Sequence, residues 1–295
     1  MKILPIFILL VVFSSINFAQ TCLETAKIVN TELSENARKV YQTKLDEAKA
    51  DFEKNPNAEA IIWLGRRTAY LGNYKVAIKL FTDGISNFPK DARFYRHRGH
   101  RFISIRCFDE AIKDFEMAAK LVKGKPDEIE PDGLPNARNI PTSTLQSNIF
   151  YHLGLAYYLK GDFKKALKAY QECEKVSKNP DMLVATKHWL YMTLRRLGKT
   201  KEAEKSIAGI ADNLDIIEND DYYKLIKLYQ GKLKPEDLMT NDTNSLGNAS
   251  AGYGVGNWFL YNGKRDEAMK VFRQITSGNQ WSSFGFIAAE AELKR

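Results

Sequence analysis

Small and apolar residues recur along the middle of this chain in an order that repeats every few dozen positions. Counting from Gly72, Tyr74 follows at +2, Ala77 at +5, Phe81 at +9 and Gly84 at +12. The same steps from Arg106 reach Phe108, Ala111, Phe115 and Ala118, and from Gly161 they reach Phe163, Ala166, Tyr170 and Cys173. Gly198 leads to Thr200, Ala203, Ile207 and Ile210, and Gly263 to Arg265, Ala268, Phe272 and Ile275, so the aromatics fade while the alanine persists. Seven positions before each anchor lie Gly65, Gly99, Gly154 and Gly256, with Tyr191 as the exception; four before lie Thr68, Phe102, Tyr157, Leu194 and Phe259. Steps of three, four and seven put these residues on one face of a helix. The pattern predicts pairs of helices that turn back at each anchor, with small residues where the two approach and aromatics filling the space between units.

The anchors Gly72 and Arg106 are 34 apart and Gly161 and Gly198 are 37 apart, while the 55 between Arg106 and Gly161 is one period plus a 21-residue insert. Units of this size bury their apolar stripes on one another and gain stability by stacking. With these offsets the chain resembles the tetratricopeptide repeat family, most clearly in IIWLGRRTAYLGNYKVAIKLF, FYHLGLAYYLKGDFKKALKAY and GVGNWFLYNGKRDEAMKVF. The resemblance covers most of the chain. It implies an all-α fold, an α-solenoid of antiparallel helix pairs wound as a right-handed superhelix, with about five to six repeats and an N-terminal helical cap.

On this reading residues 20–57 form the cap, 58–123 the first two repeats, 124–146 an insert and 147–212 repeats three and four. Residues 213–295 hold a degenerate repeat, a polar linker and a terminal repeat with a capping helix, Ile287 to Lys294. The cap reads as helical from 24 to 54, with Leu45, Ala48 and Phe52 facing inward and Asn55-Pro56-Asn57 ending it. The degenerate unit runs from Tyr222 to Leu238 about Gly231; Pro235 suits the opening of its second helix, while Glu236 stands where the alanine belongs. Residues 121–144 carry four prolines, two glycines and a run of acids, and read as an ordered or semi-ordered loop. Trp258, Phe259, Trp281, Phe284 and Phe286 read as the core of the terminal unit.

The N-terminal stretch MKILPIFILLVVFSSINFAQ has one lysine, an apolar run from Ile3 to Phe13 and a small, polar end. It reads as a signal peptide over 1–19, too short for a span of roughly 20 residues. The mature chain is then expected in the periplasm or secreted. A lipid anchor on Cys22 is disfavoured, because Ala19-Gln20-Thr21 does not match the Leu-small-small run of lipoproteins. Only Cys22, Cys107 and Cys173 are present, so the fold rests on its core rather than on a disulfide framework, and their pairing stays open. With 44% hydrophobic and 12% aromatic residues, the core has the material. Asn241-Asp242-Thr243 and Asn248-Ala249-Ser250 are glycan acceptors only in a eukaryotic host, and the chain reads as bacterial.

The formal charge of +8 gathers one conspicuous cluster: Arg93, Arg96, Arg98 and Arg101, with His97 and His100, within one helix expected over 92–105, and Arg106 just after it. In repeats of the family this chain resembles, the first helix of each pair lines the concave surface. There Arg93, Arg96, His97 and His100 share a face by steps of three, four and seven, apart from the Tyr95, Gly99 and Phe102 face. Equivalent offsets add Arg66 and Tyr70 before it, then Tyr151 and Tyr158, then His188, Arg195 and Arg196. These eleven residues are the candidate ligand groove, basic and aromatic. Arginine rather than lysine fits that role, since its planar fork binds carboxylates bidentately and stacks on rings, while Lys164, Lys165, Lys168, Lys201 and Lys205 fall on second helices or turns. The competing reading is a solvated charged face. Arg98 falls in the slot of Leu64 and Leu153 and is expected to pair with Asp109, Glu110 or an acid of the insert.

The carboxylate-clamp members of the family use a lysine and asparagine set; the matching positions here hold Ile62, Arg66, His97, Asn148 and His152, so their ligand is not carried over. A metal at His97 and His100 is disfavoured by the arginines around them, and no catalytic motif or nucleophile with a base is present, so no cofactor or metal is expected. Cys173 reads as inert core and Cys107 as a turn residue. The expected function is a non-enzymatic, exported interaction scaffold that binds an acidic or carboxylate-bearing peptide. The alternative is a binder of an anionic polymer such as lipopolysaccharide, acidic glycan or nucleic acid, attracted by net charge.

Overall fold

The computed structural model describes residues 21–29, 33–239 and 246–295, with the side chains of 246–248 left aside. The expected signal peptide and the linker residues 240–245 lie outside the described residues. Everything described is helix, turn and loop apart from one isolated bridge. Five antiparallel pairs carry the repeat: α3 (Ala58–Tyr70) with α4 (Tyr74–Asn87), α5 (Ala92–Ser104) with α6 (Phe108–Val122), and α7 (Leu145–Lys160) with α8 (Phe163–Val176). They continue with α9 (Pro180–Arg196) and α10 (Thr200–Ile207), then α12 (Leu246–Tyr261) and α13 (Arg265–Thr276). Between the last two pairs stands α11 (Asp220–Tyr229). The chain is an α-solenoid.

Each hairpin turns on a residue in the left-handed region: Gly72, Gly161, Gly198, Gly231 and Gly263 all have φ between 71° and 85°. Arg106 fills that place in the second unit with φ 66°, the one anchor that is not glycine. The small residues upstream have a different purpose. A Cβ built on Gly65 would lie 2.4 Å from the Phe81 ring, on Gly154 2.7 Å from Tyr170 and on Gly256 2.5 Å from Phe272. The glycine of the first helix is therefore the seat of the aromatic from the second.

Three elements depart from the expected plan. The cap is divided: α2 spans Glu35–Lys54 and buries Leu45 and Ala48, while Cys22–Thr25 is a separate turn, α1. Cys22 bonds Cys107, which ties α1 to the turn between α5 and α6. In the degenerate unit, the second helix is reduced to one 3-10 turn, Pro235–Asp237, consistent with a glutamate where close packing needs alanine. The last helix, α14 (Phe284–Leu293), packs on α12 and α13. It buries Phe286, Ile287, Ala288, Ala289 and Glu292 and also reaches the first helices of earlier pairs, meeting His100 of α5, Tyr151 and His152 of α7 and Arg196 of α9. Its approach segment carries Trp281 to the Tyr74 ring of α4, at 6.1 Å.

Candidate functional site

The face of α5 that bears Arg93, Arg96, His97 and His100 turns toward α3, as the spacing predicts, and Arg66 and Tyr70 of α3 join it around shared cavities. The insert comes with them. Arg96 Nε lies 2.9 Å from Glu130 Oε2, an ion pair outside the hydrogen-bond direction, with both side chains about nine-tenths buried. His97 Nε2 is 3.9 Å from the other Glu130 oxygen. Arg66 donates to the Pro131 carbonyl at 2.8 Å, and Arg67 donates to the Gly133 carbonyl at 2.5 Å. A Cβ on Gly133 would fall 1.6 Å from the Tyr70 oxygen, so only glycine lets the loop lie this close.

The insert is fixed at both ends. Ile129 bridges Thr144, and the Glu130 amide donates to the Ser143 carbonyl at 3.2 Å. Farther along, Arg138 donates to both Asp215 oxygens, at 2.7 and 2.9 Å, and Thr142 donates to Glu218 at 2.6 Å. The chain thus lays its own acidic, proline-bearing segment on the basic face. An open channel running through all the first helices is not what the structure contains.

The histidines here are rings rather than charges. Burial lowers the pKa of His97 and His100 well below the ordinary value, and the neighbouring arginines push the same way. His97 stacks on Phe81 at 5.6 Å, and His100 meets His152 at 4.6 Å and Phe284 at 5.4 Å. With Arg96 donating to His97 Nδ1 at 3.1 Å, the neutral ring acts as acceptor. Arg93 is held by Asp91 and Glu59, each at 2.6 Å. Arg98 pairs with Asp114 through two bonds of 2.8 and 2.7 Å, and not with Asp109, Glu110 or the insert. Asp114 lies on the same face of α6, one turn beyond Glu110, and reaches back across the helix pair.

The remaining predicted residues stand elsewhere. Tyr151 is buried, against Phe284 and near the Tyr222 hydroxyl at 3.4 Å. Tyr158 is wholly buried and accepts from Asn257 at 2.6 Å. His188 is also fully buried, stacked between Tyr222 and Tyr229 at 4.8 and 5.8 Å, and burial lowers its pKa to about 3. Arg195 packs over the Tyr261 ring at 4.3 Å and bonds Asn262. Arg196 pairs with the buried Glu292 at 2.7 Å. The structure gathers Arg66, Tyr70, Arg93, Arg96, His97 and His100 at one place, while α11, α12 and α14 cover Tyr151, Tyr158, His188, Arg195 and Arg196. Helix offsets alone predict which face a residue takes but not which later helix lies on it. Arg67 and Glu130 belong to the cluster and are missing from the predicted set; the acids of the insert were the available signal for Glu130.

A solenoid of stacked helix pairs with an occupied inner face defines a helical-repeat interaction scaffold. Within that class the chain is similar to tetratricopeptide-repeat proteins: the tetratricopeptide repeat family model matches residues 147–180, the α7–α8 pair. It is 26% identical over 122 residues to small glutamine-rich tetratricopeptide repeat-containing protein 2 of Saccharomyces cerevisiae, covering 41% of this chain and 29% of that protein. It is 25% identical over 165 residues to tetratricopeptide repeat protein 12 of Mus musculus, covering 55% of this chain and 20% of that one. The chain therefore spans less than a third of the length of either relative. Among solved structures, YrrB, described as a TPR protein with an unusual peptide-binding site, aligns at 16% identity and a TM-score of 0.45, over 84% of this chain and 99% of that one. No helix among the described residues is long and apolar enough to cross a membrane.

Proposed function

We propose that this protein is an exported, non-enzymatic scaffold whose basic face between α3 and α5 receives an extended acidic segment of a partner protein. The observation that carries the reading is the seat of Glu130 and Pro131. A carboxylate paired with Arg96 and a main-chain carbonyl accepting from Arg66 are how such a face would hold a peptide in trans, the ion pair supplying attraction and the charge-assisted bond to Arg66 fixing position. The insert is then an internal occupant that a partner displaces. Export is supported by the Cys22–Cys107 disulfide, a bond that persists in oxidising compartments. The non-enzymatic reading is supported by Cys173, whose thiol burial pushes up to about 11, and by histidines packed as neutral rings. No observation favours an anionic polymer: Arg93, Arg96, Arg98 and Arg106 each already hold a carboxylate, whereas polymer binding needs a stripe of free cations.

A fluorescent peptide of residues 126–134, added in trans, tests the reading. Glu130→Ala empties the seat and is expected to bind it about ten- to a hundredfold more tightly than the wild type, the range of one charge-assisted contact. Adding Arg96→Ala to that variant should abolish the gain with helicity unchanged. Equal binding by all three proteins would remove the peptide seat from consideration.

A further inference from the structure

Arg101 differs from the other arginines of its helix. Arg93, Arg96 and Arg98 each have a carboxylate partner, as does Arg106 in the turn that follows. The Arg101 side chain forms no ion pair and no hydrogen bond among the described residues, and its guanidinium stands 5.9 Å from the centre of the Tyr74 ring. Burial brings its pKa down to about 10, with Arg96 and Arg66 pushing the same way, so it stays charged at neutral pH. A half-buried cation without a counter-ion weakens a fold unless something else answers it.

The space beside it has a definite form. A cavity of about 270 Å³ is lined by Arg101, Tyr70 and Ser104, the Ser104 hydroxyl donating to the His100 carbonyl at 3.2 Å. Leu33, Tyr41, Leu71 and Tyr74 also line it. A smaller cavity of about 80 Å³ shares Tyr70, His100 and Arg101 and adds Arg66 and Arg96. Of the three arginines around these two spaces, Glu130 neutralises one. The walls come from α2, α3, α4, α5 and the segment before α14, so distant parts of the chain meet to enclose it.

We propose that this cavity binds a small free organic carboxylate, its carboxyl group on Arg101 and its body against Tyr41, Leu71 and Tyr74. An unpaired cation in a cavity that leucines and tyrosine rings also line fits such a molecule, because one placed charge orients a ligand and the side chains around it hold the rest. The volume, just below that of pockets for drug-sized ligands, limits the body to about one ring or a short branched chain. This inference goes beyond the peptide reading and rests on a different arginine.

The test uses the full mature chain and three probes at matched ionic strength: sodium benzoate, the neutral near-isostere benzamide, and inorganic phosphate. Benzoate at about ten times its Kd is expected to raise the melting temperature by about 2–4 °C, with benzamide and phosphate giving no rise. Arg101→Met should lose the benzoate response and, without any ligand, melt higher than the wild type, since an uncompensated charge is gone. It should leave capture of the 126–134 peptide by the Glu130→Ala protein unchanged, which separates this inference from the peptide reading. A benzoate response equal to that of benzamide or phosphate, or one that survives in Arg101→Met, would overturn it. So would an Arg101→Met protein that melts lower than the wild type, because Arg101 would then be structural.

Discussion

A hydrogen where other residues carry a Cβ sets the distance between the two helices of a pair. Gly154 of α7 faces the Tyr170 ring of α8, which is wholly buried and has no room to retreat. Gly154→Ala is therefore expected to cost about 1–3 kcal/mol, the range for overpacking a filled core. Gly209, with nothing within 4 Å of its missing Cβ, is the control: Gly209→Ala should stay within about 0.5 kcal/mol of the wild type. Urea midpoints of the two variants check the contrast, and equal shifts would mean that the glycine offset is not a packing requirement. This level of the fold is legible in the sequence because the rule is local: a glycine and an aromatic sixteen positions later belong to one unit. Arg106 was legible as an anchor by the same count, but not its support. Its guanidinium lies 3.8 Å from the Trp281 ring centre and 2.7 Å from Glu290, partners that no offset within the repeat could indicate.

Among the elements, the one that most changes the reading of the molecule is α14. Its sequence of alanines and glutamates suits the end of a solenoid; it packs on the last pair, α12 and α13, and in addition reaches first helices of earlier units. Two arginines explain the reach. Arg196 of α9 and Arg295 just beyond α14 both hold Glu292, and Arg295 also donates to the Tyr158 and Leu159 carbonyls at the end of α7. Glu292 is 3% exposed. Glu292→Ala would leave Arg196 buried without its carboxylate, and removing one member of such a pair costs about 3–5 kcal/mol. Arg196→Met with Glu292→Met should recover part of that loss, because Arg196 is then no longer stranded, while Arg295 keeps its bonds to the Tyr158 and Leu159 carbonyls. Thermal melts of the single and double variants decide it; a single variant as stable as the wild type would mean that α14 is held by its apolar face alone. The insert follows the same logic as α14. Both are segments without the repeat's period, docked by contacts between residues far apart in sequence, so neither position could be read from spacing. The candidate site was accordingly half visible: the arginines appear in the pattern and the loop that answers them does not.

Across the whole molecule the histidines form a single titrating system. The chain has four, His97, His100, His152 and His188, and burial lowers the pKa of each, the arginines adding to the effect at the first three. Each native ring is therefore neutral well below pH 6.5, while in the unfolded chain each takes up a proton near that value. Below about pH 6.5 the unfolded state binds more protons than the native state, so stability falls as pH falls and is fully present above it. For a ring that stays neutral when folded, the loss between pH 7 and pH 5 is about 2 kcal/mol, and four together remove a large part of a typical stability of about 5–15 kcal/mol. Urea unfolding at pH 7, 6 and 5 should give midpoints that drop steeply, with a shallower drop in His188→Phe, whose ring would keep the stack between Tyr222 and Tyr229 without a titrating group. Midpoints unchanged over that range would show that the rings can charge in place. That result would also contradict the packing of His97 and His100, since a proton on either would sit against Arg96 and Arg101 with Glu130 as the nearest carboxylate. Acid sensitivity and the basic face thus overlap at three rings: burial lowers all four histidines, and the arginines of α5 add to it at His97, His100 and His152 but not at His188.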